Sequence, residues 1–258
     1  MAERFSGRFL GKFDAPYDQC PDCGLLQVRS PTWLDEAYED AIAVTDTGLV
    51  ARNLQLAEWL SRLLPLIDSG KGPYLDYGGG IGLLVRLMRD RGFDFRWFDP
   101  HAGNALARGF EHDAAAGPCV AVTAFEVLEH AVDPRRLVED ALAAAGTDTL
   151  ILSTELYTGP LPPDDWWYFS RETGQHIAFF RRDTLERLAQ TLGMRLLSHG
   201  SLHLLSRRAI SPRQFRRVCS SRLLRAWTRL APRTGGLAPA DHLAMVALLR
   251  AQLQGRSV

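Results

Sequence analysis

The sequence has no long apolar run, no surplus of either charge and almost no cysteine, and each lack removes a class of protein. Nowhere do the roughly 18 to 20 consecutive apolar residues of a membrane-spanning helix occur. The opening stretch MAERFSGRFLGKFD also lacks the continuous apolar centre of a secretory signal. A cytoplasmic protein without a transmembrane segment is expected. Thirty Lys and Arg balance thirty Asp and Glu, so no overall field draws the chain to nucleic acid or anionic membrane. No nucleic-acid partner is expected, and any charged partner is met locally. The four cysteines, Cys20, Cys23, Cys119 and Cys219, are too sparse for a disulfide framework, which agrees with a reducing compartment. Internal repeats and low-complexity segments are absent as well.

What is present suits one α/β core: 258 residues, 46% of them hydrophobic. Residues 1–45 read as a polar N-terminal cap, not a core, with the tight turn CPDCG and a proline-started helix, PTWLDEAYEDAIA. Residues 46–208 form the main domain. Its first segment, GLVARNLQLAEWLSRLLPLI, repeats leucine at helical intervals. From Tyr74 onward strand-like and helix-like stretches alternate, which argues a parallel sheet covered on both faces. MRLLS and LHLLS are then separated too briefly for a parallel crossover and should pair as an antiparallel hairpin. Residues 209–258 are a helical extension. Its arginine-rich first helix carries Phe215, Val218, Cys219, Leu223, Trp227 and Leu230 at helical spacing, a face that packs on the domain or docks on an acidic surface. A second helix, APADHLAMVALLRAQL, closes the chain or meets another subunit as a homodimer.

The stretch YLDYGGGIGLL crowds glycines between a strand and a helix. Such a bend turns sharply, admits a ligand to bare backbone, and presents the free N–H groups of a helix start. Its spacing is D-x-G-x-G-x-G; a dinucleotide fingerprint needs a glycine at 83, where Leu83 stands. The next strand, FDFRWFDP, ends in Asp99, a carboxylate able to accept both hydroxyl protons of a ribose. After the strand CVAVTAF, Glu126, Glu129 and His130 share helical spacing. Glu126 is the stronger site candidate, while Glu129 and His130 suit a helix start electrostatically. The connection ELYTGPLPPDDWWYFSRETGQHIAFF is long for a compact domain. In it Trp166, Trp167 and Tyr168 offer flat faces, and Gln175 and His176 polar handles, for a sugar or ring-bearing acceptor; the alternative is a self-packed lid. Cys20-Pro-Asp-Cys23 looks like half a zinc ribbon, but residues 1–19 hold no Cys or His to complete it, and no metal is assigned.

Together LDYGGGIG, FDP, VTAFEVLEHAVDP and WWYFSRETGQHIAFF resemble the class I S-adenosylmethionine-dependent methyltransferases, specifically the type called methyltransferase domain 23. The resemblance implies a Rossmann-like, seven-stranded sheet, mostly parallel with a reversed last strand, beside the small N-terminal cap and C-terminal helices. It implies that Asp76, Tyr77, Gly78, Gly80 and Gly82 hold the methionine part of S-adenosyl-L-methionine, that Asp99 holds the ribose, and that Pro100 lies beside the adenine. It places Phe125 and Glu126 at the sulfonium side. Asp113 is a weak candidate for the adenine amino group. A small-molecule acceptor, a sugar or glycan precursor, follows from the same resemblance. For a hydroxyl or acidic-carbon acceptor, His176 is the expected catalytic base, since its neutral form is available near pH 7. Two other classes stay open: an NAD(P)-binding oxidoreductase, disfavoured by Leu83 and the reversed strand, and a non-catalytic scaffold with the same fold.

Overall fold

The N-terminal residues, expected to be a mere covering, form a hairpin of β1 (Ala2–Phe9) and β2 (Phe13–Gln19), followed by β3 (Leu26–Val28). The structure is a computed structural model and describes residues 1–39, 46–68 and 72–220. Alternation along β2 sends Ala15, Tyr17 and Gln19 inward. Phe9, Tyr17, Leu26 and Trp33 meet Tyr168, Phe169 and Phe179 there in an aromatic core that belongs to the cap itself. The cap therefore does contain a core, five of its twelve buried residues supplied from far along the chain. Of the expected helix after Pro31, one turn is seen as α1 (Leu34–Ala37), and residues 40–43 lie outside the described residues.

The main domain begins with α2 (Leu49–Ile67), whose Leu56, Leu60, Leu63, Leu64 and Ile67 bury one face as their spacing requires. Then come β4 (Pro73–Tyr77), α3 (Leu83–Asp90), β5 (Asp94–Phe98), β6 (Ala121–Phe125), α4 (Pro134–Ala145) and β7 (Thr149–Ser153). After the long connection come β8 (Ala178–Phe179), α5 (Arg182–Thr191), β9 (Arg195–His199), β10 (Leu202–Ser206) and α6 (Pro212–Cys219). α4 shows how local sequence sets an element: Asp133 caps it by accepting the Arg136 amide at 3.0 Å, Pro134 fits its first turn, and Gly146 ends it at φ +57.

The central sheet has the order β5-β4-β6-β7-β10-β9. The first four strands run parallel, while β10 lies antiparallel to both β7 and β9. The hairpin expected at residues 195–206 is thus present, and its second arm inserts between β7 and β9. Neighbouring residues sort to opposite faces: Tyr74, Ile151 and Leu204 pack with α2, α3 and α6, and Leu75, Leu150 and Leu205 with α4 and α5.

One expectation is corrected. The sheet has six strands among the described residues, not seven, because GFEHDAAAG contributes only a single bridge, Trp97 with Glu111. The turn Ala114–Ala116 and Gly117 at φ +98 carry the chain away before a second residue can pair. The cap has its own sheet, β1-β2-β3-β8. Its last member, β8, ends the long connection and pairs Leu26 with Phe179, so cap and connection fold as one layer over the carboxyl ends of the parallel strands. Leu223, Trp227 and Leu230 of the arginine-rich segment, and the whole second C-terminal helix, lie outside the described residues.

Candidate active site

A cavity of about 1120 Å³ opens where β4, β5 and β6 end, roofed by the cap and the long connection. Asp76, Tyr77, Gly78, Gly80, Asp99, Pro100, Phe125 and Glu126 line it, and so do Trp167, Tyr168, Gln175 and His176. The crevice beyond the carboxyl ends of parallel strands is where open α/β sheets bind ligands.

The glycine bend is built by its neighbours. Gly78 and Gly79 donate their amides to the Phe98 carbonyl at 2.8 and 3.1 Å, and Gly80 donates to Asp99 Oδ2 at 2.8 Å. Trp97 Nε1 returns a bond to the Gly80 carbonyl at 2.8 Å. The glycines then separate in purpose. A Cβ at Gly80 meets nothing within 4 Å and would project into open space, whereas one at Gly78 would lie 2.6 Å from Val127 Cγ2. Gly82, which caps α3 at φ +86, does not line the cavity; its bareness admits Ala107, 2.8 Å from an added Cβ. Gly80 thus leaves its backbone uncovered beside the cavity, while Gly78 and Gly82 permit close packing.

Asp76 is buried, and its Oδ1 accepts the Thr123 hydroxyl at 2.7 Å. Burial pushes its carboxyl up to about 7; the Thr123 bond opposes this and the Asp99 charge adds to it. Asp99 Oδ1 takes the His101 and Ala102 amides, each at 2.8 Å. Asp113 is spent capping its own turn through the Ala115 amide at 2.9 Å and does not line the cavity. Glu126 sits at φ +54, a left-handed conformation that is strained for a non-glycine residue. Ser153 holds it there: Oγ accepts the Glu126 amide at 3.0 Å and donates to Oε1 at 2.6 Å.

The long connection divides its aromatics. Trp166 packs against Tyr157, Tyr168, Phe169 and Phe179 in the cap core and is not on the cavity wall. Trp167 is 72% exposed at the cavity mouth. Tyr168 is buried, and its hydroxyl donates to Glu129 Oε1 at 2.6 Å. Gln175 donates to the Ala37 carbonyl at 2.8 Å, joining the connection to the cap. His176 donates from Nδ1 to the Tyr168 carbonyl at 2.7 Å, which leaves the lone pair on Nε2. Burial lowers its pKa, although the Tyr168 bond and Glu126 oppose that. Its ring stands 5.0 Å from that of His130. Burial likewise lowers His130 well below the ordinary range and raises Glu129 well above its own, the Glu126 charge adding to the latter.

Several wall residues were not among the expected ones. Tyr38 of the cap stacks on His101 at 4.9 Å and 16° and shares a 2.7 Å hydrogen bond with His130 Nδ1. Burial raises the Tyr38 hydroxyl, and the Glu129 and Asp99 charges add to that. Arg52 of α2 is held by Asp46 through bonds of 3.0 and 2.6 Å. No local sequence pattern marks any of these; they reach the cavity because cap and α2 fold over it. Cys20 and Cys23 are free thiols, and no His, Asp or Glu joins them in a potential metal cluster among the described residues.

A mostly parallel sheet with one inserted reversed strand, a glycine bend bonded to a carboxylate at the next strand's tip, and a roofed cavity above both define a class I methyltransferase. A family model described as a methyltransferase domain matches residues 50–199, more than half of the chain. The chain belongs to this family, methyltransferase domain 23, and S-adenosylmethionine is its cofactor. The family answers the oxidoreductase alternative. No curated protein matches the chain by sequence.

Solved structures resemble it more distantly. Magnesium protoporphyrin IX methyltransferase from Synechocystis PCC 6803 with bound SAH is 17% identical at a TM-score of 0.44, with 67% of this chain and 90% of that one covered. An O-methyltransferase family 2 protein from Planctomyces limnophilus DSM 3776 in complex with apigenin is 16% identical at 0.46, covering 70% and 63%. Human N-acetylserotonin methyltransferase in complex with SAM is 15% identical at 0.43, covering 69% and 66%. The chain thus spans less than two thirds of the latter two. Family membership rests on the sequence match. No helix among the described residues is long and apolar enough to cross a membrane.

Proposed function

We propose that this methyltransferase acts on a hydroxyl of a small, ring-bearing acceptor, a sugar or glycan precursor being the class in view. The observation that carries the reading is the single cavity into which the glycine bend, Asp99, Glu126, Trp167 and His176 all open. Its fit to the cofactor is supported by the uncovered backbone at Gly80, where an added Cβ meets nothing within 4 Å. Asp76 and the bend would hold the methionine part, Asp99 the ribose and Pro100 the adenine side, with Phe125 and Glu126 bordering the sulfonium. When bound, S-adenosylmethionine supplies an electrophilic methyl group on its sulfonium.

The chain's own residues supply alignment and a proton acceptor. The cap and the connection exclude water and hold the acceptor in line, the effects that dominate a simple displacement. Trp167 gives the acceptor ring a flat apolar face at the mouth. His176 is fixed by the Tyr168 carbonyl with Nε2 unprotonated, and its lowered pKa keeps it neutral at pH 7, ready to take a hydroxyl proton there. The test is transfer of a labelled methyl group from S-adenosylmethionine to a panel of hydroxylated sugars and small aromatics, with wild type and His176→Asn. Loss of kcat by roughly 10²–10⁴-fold in the variant, with cofactor affinity unchanged, supports the base role. Cofactor binding with no transfer to any hydroxylated acceptor would point to the scaffold alternative.

A further inference from the structure

We infer that Glu129, His130 and His176 form a binding site for one divalent transition-metal ion of the zinc class. One ligand atom from each lies within 4.8 Å of the other two. His130 and His176 line the cavity, and Glu129 is the fully buried residue beneath them. Two imidazoles and one carboxylate make a borderline donor set, suited to Zn²⁺, Co²⁺ or Fe²⁺ and unlike the all-oxygen shells of Mg²⁺ or Ca²⁺.

Three features separate this cluster from a chance meeting of polar groups. The first is an orphan: Glu129 is 0% exposed, and its Oε2 has no hydrogen-bond partner among the described residues. A buried polar atom without a partner is costly, and a cation bound to it removes that cost. The second is orientation. Each ligand is held from behind: Glu129 Oε1 by the Tyr168 hydroxyl at 2.6 Å, His130 Nδ1 by the Tyr38 hydroxyl at 2.7 Å, and His176 Nδ1 by the Tyr168 carbonyl at 2.7 Å. Outer partners of this kind aim metal-ligating side chains; the Tyr168 carbonyl, which only accepts, also fixes the His176 tautomer, whereas the Tyr38 hydroxyl bonds His130 Nδ1 in either tautomer. Among the described residues no hydrogen bond reaches Nε2 of either ring, which leaves that nitrogen without a competing partner when Nδ1 carries the proton. The third is the number of ligands. Three protein ligands beside an open cavity leave a coordination position for an exogenous oxygen, the pattern of catalytic rather than structural zinc.

The geometry asks for a contraction. A tetrahedral ion with metal–ligand bonds of about 2.0–2.2 Å holds its ligands roughly 3.3–3.6 Å apart. Ligand atoms spread over as much as 4.8 Å must therefore close by up to about 1.2–1.5 Å through side-chain torsions. The role of the ion, though not its binding, rests on the methyltransferase reading: its open position takes an oxygen of the acceptor and orients it beside Glu126. With the ion bound, the Nε2 lone pair of His176 is taken by the metal, so the base role proposed for His176 belongs to the metal-free chain.

The test uses the full chain, stripped with a chelator and titrated with Co²⁺ and then Zn²⁺. One equivalent of Co²⁺ giving visible ligand-field bands, displaced by Zn²⁺, is expected of the wild type and depends on no variant. Glu129→Gln and His176→Gln should each weaken the ion by about a hundredfold or more, while Cys20→Ser leaves it unchanged. Calorimetry with S-adenosylhomocysteine runs beside it on the same preparations. No saturable binding at micromolar ion, equal affinity in the ligand variants, or loss of the ion in Cys20→Ser would each overturn the site. Cofactor binding without metal would remove the metal site and spare the methyltransferase reading; metal without cofactor would do the reverse.

Discussion

Asp99 Oδ2 receives the Gly80 amide at 2.8 Å, so the carboxylate at the tip of β5 is bonded to the bend that follows β4. The same carboxylate holds the His101 and Ala102 amides through Oδ1. Asp99→Ala leaves three amides without their acceptor and removes the group proposed to hold the ribose. Stability should fall by about 1–3 kcal/mol and affinity for S-adenosylhomocysteine by tenfold or more. Asp99→Asn, which keeps one acceptor oxygen, should lose less of both. Urea denaturation and calorimetry measure the two effects separately. Unchanged affinity in Asp99→Ala would remove the residue from the cofactor site.

The buried Asp76 makes stability depend on pH. Its folded pKa, about 7, lies above the ordinary 3.8. The native state therefore binds the extra proton, and its contribution is full below about pH 4 and lost as pH rises through about 7. Three units at about 1.4 kcal/mol each set a ceiling of roughly 4 kcal/mol. His203 runs the other way. Burial lowers it from 6.5 to about 4, so its contribution is present above 6.5 and lost as pH falls through about 4. The wild-type profile is the flatter for this opposition. Subtracting it from that of Asp76→Asn isolates the carboxyl: the variant should gain on the wild type as pH rises from about 4 to 8. Urea denaturation across that range would contradict the assignment if the difference stayed flat.

Much of this was legible because it is local. The hairpin at 195–206 follows from a connection too short for a crossover, and the sharp bend after β4 from glycines at a strand's end. Contacts made across the chain were not legible. Trp33 donates to the Gly174 carbonyl at 2.9 Å, 141 residues away, and Phe5 and Tyr17 find aromatic partners in Phe169 and, for Tyr17, Phe179. Nothing within residues 1–45 signals those partners, so the cap reads as surface. Tyr38 and Arg52 escaped notice for the same reason, and the third strand, expected from the family resemblance alone, is reduced here to one bridge, Trp97 with Glu111.

Gly78 and Gly80 separate folding from binding. Both have positive φ, +73 and +54, so alanine at either carries a backbone cost of about 1 kcal/mol. At Gly78 the methyl also meets Val127 Cγ2 at 2.6 Å, so Gly78→Ala should destabilise by a further 1–3 kcal/mol or so through overpacking. At Gly80 the methyl enters open space, and Gly80→Ala should lose chiefly cofactor affinity. A stability loss confined to Gly80→Ala, or an affinity loss confined to Gly78→Ala, would invert the map of the bend.

Adjacent tryptophans give the last contrast. The turn Trp167–Phe169 sends successive side chains in different directions. Trp166 enters a cluster of four aromatic rings, whereas Trp167 stays 72% exposed at the cavity mouth. Trp166→Ala should therefore cost roughly 2–4 kcal/mol in urea denaturation, by opening a hole between the cap and the connection. Trp167→Ala should shift stability by no more than about 0.5 kcal/mol yet raise the acceptor's KM severalfold, with cofactor affinity untouched. If Trp167→Ala left that KM unchanged, the flat face at the mouth would have no part in holding the acceptor, and recognition would fall to groups deeper in the cavity, around Glu126 and His176.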